Sequence, residues 1–124
     1  MKTVVDVMTK NVVDIEPEAT VAEAVVKMKE QKVFSLLVKC GKGRDSWGFM
    51  SETDIIEKVV ARGLDTTTVQ VQEIMTKPVI SVPPSCSLQD CAALLARADI
   101  RRVLVYDGKN IVGIVSSRDI FKAL

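Results

Sequence analysis

Gly113-Ile114-Val115-Ser116-Ser117-Arg118-Asp119-Ile120, with its earlier counterpart Gly48-Phe49-Met50-Ser51-Glu52-Thr53-Asp54-Ile55, is the stretch from which the fold is read. Each copy predicts a short buried strand running directly into a helix: a glycine, two apolar residues, then Ser-x-x-Asp where the helix starts. The local reading of Ser-x-x-Asp is a capping box, in which the serine hydroxyl accepts the N3 amide and the N3 carboxylate accepts the serine amide. The functional reading adds that a helix N-terminus presents unpaired N–H groups and a positive dipole end to an anion such as phosphate. A hydroxyl and a carboxylate one turn apart then suit a phosphate and a sugar diol. A single motif of this kind is common; two of them in matched surroundings need one explanation.

The surroundings match along most of the chain. A shift of 67 residues lays Val4-Val5-Asp6-Val7-Met8-Thr9-Lys10-Asn11-Val12-Val13 over Val71-Gln72-Glu73-Ile74-Met75-Thr76-Lys77-Pro78-Val79-Ile80, and Gly41-Lys42 over Gly108-Lys109. Beyond this the shift falls to 65, because the first copy holds two extra residues around Gly43-Arg44-Asp45-Ser46. The chain is therefore a duplication with one supersecondary unit per copy. Residues 1–66 form the first repeat and residues 67–124 the second.

Within a repeat, a short helical turn leads to an extended segment, residues 12–15 or 79–82, closed by Pro17 or by Pro83-Pro84. Thr20-Val21-Ala22-Glu23 and Ser87-Leu88-Gln89-Asp90 are helix starts. Val21, Ala24, Val25 and Met28 form an apolar stripe at helical spacing, and Leu88, Cys91, Ala92 and Leu95 take the same offsets. Two strands follow, at 35–39 and 47–50 and again at 102–106 and 111–115, with Asp107-Gly108 as a hairpin signal. Trp47 aligns with Val112 as a packed strand residue. A closing helix spans 52–62, stopped by Gly63, or runs from 117 to the end. Residues 64–68 link the copies. Each half is thus β-α-β-β-α. Leu36-Leu37-Val38 and Val103-Leu104-Val105 are apolar throughout, so both sheet faces should be covered. The expected fold is mixed α/β (α+β), two such halves packed sheet to sheet about a pseudo-two-fold axis, with two clefts between them.

Composition narrows the function. The 124 residues carry a net charge of +1, 4% aromatic residues and no histidine. The charge gives no argument for nucleic acid or an anionic membrane, and the aromatic content none for a base-stacking platform. With no histidine, the familiar hydrolase triads and histidine-ligated metal centres are absent. No apolar run is long enough to span a membrane and no signal peptide is seen, so a cytoplasmic protein is expected. Cys40, Cys86 and Cys91 make an odd set without Cys-x-x-Cys, which argues against disulfides and zinc. Cys91 stands in for Ala24 on the packed helix face.

In this order, Ile74-Met75-Thr76-Lys77, Arg101-Arg102-Val103-Leu104-Val105-Tyr106-Asp107, the Gly113–Ile120 motif and the segment from Asp54 to Asp65 resemble the tandem cystathionine β-synthase (CBS) domain pair, the Bateman module. The resemblance covers essentially the whole chain. It implies a non-enzymatic regulatory module that binds adenine nucleotides (AMP, ADP, ATP or an adenosyl ligand) in inter-repeat clefts and signals to a partner, with homodimerisation expected. By position it implies that Asp54 and Asp119 hold ribose hydroxyls and that Ser51 and Ser116 lie against phosphate. The backbone around Val12 and Val79 would line the adenine slot, beside Thr9, Lys10, Thr76 and Lys77, and Arg102 would meet phosphate. No catalytic residue, catalytic cofactor or metal is implied, and the regulated partner is not named. The chemistry of the residues agrees: a carboxylate accepts both hydroxyls of a diol, and a guanidinium grips phosphate bidentately.

The copies differ where charge matters. Arg101, Arg102 and Arg118 correspond to Phe34, Ser35 and Thr53. The site on Ser116 and Asp119 is therefore expected to bind more tightly than that on Ser51 and Asp54. The rival reading is a dimerisation or interaction scaffold with no ligand, which would need neither the aspartates nor the arginines.

Overall fold

The computed structural model of the chain describes residues 2–41, 43 and 46–124. Lys42, Arg44 and Asp45, and with them most of the two-residue insertion read around Gly43-Arg44-Asp45-Ser46, lie outside the described residues. Two compact units are present, one of Val13–Val79 and one of Met1–Val12 with Ile80–Leu124.

In the first unit, β1 (Asp14–Ile15) runs parallel to β2 (Ser35–Val38), which pairs antiparallel with β3 (Gly48–Ser51). The parallel pair requires a crossover, supplied by α1 (Val21–Gln31). Thr20 caps α1 with a complete Thr-x-x-Glu box, its hydroxyl oxygen accepting the Glu23 amide at 3.1 Å. Val21, Ala24 and Met28 from α1 pack on Leu36, Val38 and Met50 from the sheet. Leu37 and its cross-strand partner Phe49, on the other face, are buried as well. Both faces of these strands are thus covered, as their unbroken apolar run requires.

The second unit repeats the plan with β4 (Ser81–Val82), α4 (Leu88–Ala98), β5 (Arg102–Tyr106), β6 (Ile111–Ser116) and α5 (Ser117–Lys122). The remaining helices, α2 (Glu52–Ile55) and α3 (Val71–Ile74), belong to the first unit. Strand β4 lies parallel to β5 and β5 antiparallel to β6. The Asp107-Gly108 hairpin forms: the Asp107 carboxylate accepts the amides of Lys109 (2.8 Å) and Asn110 (2.7 Å), and Gly108 takes φ +101°. Those two amides hold the Asp107 carboxyl below its usual range.

The duplication boundary and the packing boundary differ. Helix α3, which opens the second repeat, packs Val71 and Ile74 into the core of the first unit. The turn Val4–Asp6, which opens the first repeat, packs Val4 against Cys91, Val103 and Val115 in the other. Backbone bonds from Val71 to the Ala19 carbonyl (2.8 Å) and from Val4 to the Cys86 carbonyl (2.9 Å) secure the two placements. Each Met-Thr segment then crosses the first residues of a strand: Thr76 bridges Phe49 and Thr9 bridges Ile114. Glycine is needed at the crossing. A Cβ at Gly48 would lie 2.9 Å from the Met75 sulfur and 3.0 Å from the Thr76 carbonyl oxygen; at Gly113 it would lie 2.6 Å from the Met8 sulfur and 2.9 Å from the Thr9 carbonyl oxygen.

Several expectations need correction. Trp47 lies just outside β3, with the Lys39 ammonium 5.4 Å from its ring centroid, because β3 begins at the glycine. The extended segments 12–15 and 79–82 are strands only at their last two residues, where β2 and β5 are in register. The first closing helix is α-helical only over Glu52–Ile55 and then widens into a π-helical turn, Ile56–Val60. Ser87 caps α4, but Asp90 does not return the bond as Glu23 does. No helix among the described residues is long and apolar enough to cross a membrane.

The three thiols are free. Cys91 is fully buried, and desolvation raises its pKa and those of Cys40 and Cys86 above the ordinary thiol value. Two outcomes are expected. Gly113→Ala presses a methyl group on the Thr9 carbonyl and lowers the urea-unfolding free energy by about 1–3 kcal/mol; an unchanged midpoint would mean that the Met-Thr segment can leave the strand. At neutral pH, a thiol reagent should label Cys91 only as fast as the protein opens, with a rate that climbs with urea. Rapid labelling of Cys91 in the native protein would contradict its place in the helix packing.

Candidate functional site

Strand β6 ends at Ser116, which is also the N-cap of α5. Its hydroxyl oxygen accepts the Asp119 amide at 3.2 Å. In return, Asp119 Oδ2 accepts the Ser116 amide at 2.9 Å and the Ser116 hydroxyl at 3.1 Å. The local reading of Ser-x-x-Asp is therefore realised. One contact goes beyond it: the Thr9 hydroxyl donates to Asp119 Oδ1 at 3.3 Å. Thr9 is placed by its two backbone bonds with Ile114, 2.8 and 2.9 Å long. A half-buried carboxylate thus sits at a strand–helix junction, held on one oxygen by its own cap and touched on the other by a distant hydroxyl.

The three arginines around it are dispersed. Arg102 is half-buried and stands opposite Ser116 in the β5–β6 ladder. Arg118 is exposed on the first turn of α5. Arg101 precedes β5, and its carbonyl accepts the Ser117 amide at 2.9 Å. The Arg101 side chain lines a groove of about 400 Å³ with Leu95, Asp99, Ile100 and Ile120, whose walls include none of Thr9, Ser116 and Asp119. Lys10 is exposed, and Val12 is half-buried, its amide donating to the Lys10 carbonyl at 3.0 Å.

The first motif has the same cap in a tighter setting. Asp54 Oδ2 accepts the Ser51 amide at 2.9 Å and hydroxyl at 3.2 Å, and Ser51 Oγ accepts the Asp54 amide at 3.3 Å. Oδ1 accepts the Thr76 hydroxyl at 3.1 Å and pairs with the Lys58 ammonium at 3.0 Å. Lys58 also donates to the Ile74 carbonyl at 2.9 Å. Ser51 and Asp54, 5% and 8% exposed, are the two buried polar residues among those described. Lys77 is exposed and lowers the Cys40 thiol pKa against a larger desolvation effect; Val79 is half-buried.

The expected residues are therefore assembled crosswise. Thr9 of the first repeat joins Ser116 and Asp119 of the second, and Thr76 of the second joins Ser51 and Asp54 of the first. Lys58 did not figure in the sequence reading. Its signal was the i,i+4 spacing Asp54-x-x-x-Lys58 on a helix, matched in the second copy by Asp119 and Ala123. Among the described residues no cluster of three or more Cys, Asp or Glu is arranged to hold a metal ion.

Known proteins place this arrangement in a family. The CBS domain family model matches residues 4–61 and again 71–124. The chain is 35% identical over 121 residues to the CBS domain-containing protein YhcV of Bacillus subtilis, covering 97% of this chain and 84% of that protein. It is 29% identical over 124 residues to hypoxic response protein 1 of Mycobacterium tuberculosis, covering 100% and 86%. Among solved structures it is similar to a hexameric CBS-CP12 protein from bloom-forming cyanobacteria, with a TM-score of 0.90, 43% identity and 98% of this chain against 70% of that one. A structure of Hypoxic Response Protein I with two coordinated zinc ions matches over 100% of both chains, with a TM-score of 0.72 and 30% identity. With two matches that leave few residues outside them and two three-stranded sheets to correspond, the chain belongs to the CBS domain family and is a tandem CBS pair.

Proposed function

We propose that this CBS pair is a regulatory module that binds an adenine nucleotide or a related adenosyl ligand and passes its occupancy to another protein chain. The observation that carries the reading is the Asp119 carboxylate. It is fixed at a strand–helix junction by Ser116 and Thr9, yet its Oδ1 accepts one hydrogen bond, from Thr9. A carboxylate oxygen has room for two donors, so a ribose diol can add to this one. Arg102, opposite Ser116, and Arg118, on the adjoining helical turn, supply cations on the side where a phosphate chain would extend. The module acts in the cytoplasm, through a second copy of this chain or through a separate regulated protein, and performs no catalysis of its own.

The scaffold reading keeps one specific support: both aspartates already have a structural task as partners in capping boxes. The two readings diverge in a thermal-shift screen against adenosine, AMP, ADP, ATP and S-adenosylmethionine. A ligand at 100 times its Kd stabilises the folded state by about 2.7 kcal/mol, a shift of several degrees for a domain of this size. Calorimetric titration then locates the contact. Asp119→Ala should weaken binding about ten- to a hundred-fold, the worth of a charge-assisted hydrogen bond. Arg102→Ala should cost more affinity as phosphates are added, and Asp54→Ala should matter less than Asp119→Ala. A protein that binds none of the five compounds is a scaffold.

A further inference from the structure

The two Ser-x-x-Asp motifs share a sequence pattern, but their carboxylates are not equally engaged. Asp54 accepts from four groups: the Ser51 amide and hydroxyl on Oδ2, and the Thr76 hydroxyl and Lys58 ammonium on Oδ1. Four is the full acceptor capacity of a carboxylate. Asp119 accepts from three. The missing donor corresponds to one residue, since Ala123 stands four positions after Asp119 where Lys58 stands four after Asp54.

Lys58 is placed for more than charge pairing. It rises from the π-helical turn Ile56–Val60, and its ammonium bridges Asp54 to the Ile74 carbonyl at the end of α3. It therefore ties the Ser51–Asp54 cap to the segment that supplies Thr76. A diol approaching Asp54 would have to displace an ammonium with neutral hydroxyls, which are weaker donors to a carboxylate. It would also leave a half-buried cation with one partner fewer, an outcome that burial penalises.

We infer that Lys58 is a latch that closes the first motif: Asp54 is a structural carboxylate, and the chain takes one nucleotide, at Asp119, although it carries the motif twice. The ligand in this statement rests on the function proposed above; the latch rests on the Lys58–Asp54–Ile74 geometry alone.

Calorimetric titration with AMP and with ATP tests the stoichiometry, using the unmodified protein, Lys58→Met, Asp119→Ala and the Lys58→Met/Asp119→Ala double variant. Methionine keeps the length of the lysine stem without its charge. The expected result is one ligand per chain for the unmodified protein, two for Lys58→Met, none for Asp119→Ala at the same concentrations, and one for the double variant. Two ligands on the unmodified protein, or no gain on Lys58→Met, overturns the latch. If the unmodified protein binds neither nucleotide, the functional reading fails by itself, and ligand-free melts of Lys58→Met, Asp54→Asn and their combination decide the latch. A combination no less stable than the worse single variant upholds it, because one interaction has been removed twice. Fully additive losses overturn it.

Discussion

Thr9 exchanges two backbone hydrogen bonds with Ile114, and Thr76 exchanges two with Phe49, each next to a glycine that leaves room for a methionine sulfur and a carbonyl oxygen. Much else in the structure depends on this crossing. It gives an outer strand of each sheet a backbone partner, which an exposed edge would otherwise seek elsewhere. It anchors the apolar turns that complete the cores, Val4 in one unit and Val71 with Ile74 in the other. It also delivers a threonine hydroxyl to each aspartate. A side chain in place of either glycine would therefore disturb a sheet edge, a core and a polar junction together.

The polar junction shows how one short motif can serve two ends. A cap needs one carboxylate oxygen, and both aspartates commit Oδ2 to it. The other oxygen is what distinguishes them. In one unit it is enclosed by an ammonium and a hydroxyl, in a pair that is almost fully buried. In the other it meets a single hydroxyl at 3.3 Å and remains half-buried. Duplication made the backbones alike, and the difference rests on side chains such as Lys58 against Ala123.

Much of this could be read from the residues, for reasons that are local. The α1 stripe, the Thr20 and Ser116 caps and the Asp107-Gly108 turn each depend on neighbours within four positions, so spacing alone exposes them. The crosswise assembly could not be read in the same way. Met8-Thr9 and Met75-Thr76 are identical dipeptides, and Gly48 and Gly113 make identical demands, so no local preference says which threonine meets which aspartate. Arg101 and Arg102 looked like a pair, but Arg101 precedes the strand and its side chain lines a groove beside α4 instead. The Asp54–Lys58 spacing was visible, whereas the Ile74 carbonyl that gives it a second partner lies sixteen residues onward.

The exchange of opening segments also sets an order of assembly. Val13–Val79 is a continuous stretch, so every contact in its core is available once Val79 has been synthesised. The other unit joins Met1–Val12 to Ile80–Leu124, and Thr9 cannot find its strand until Ile114 exists. During synthesis, where domains form as their residues emerge, Val4, Val7 and Met8 must wait through most of translation with their apolar side chains unmatched. The unit that carries Asp119 is thus the last to close, and its closure joins the two most distant parts of the chain, the kind of contact whose loop entropy slows folding most.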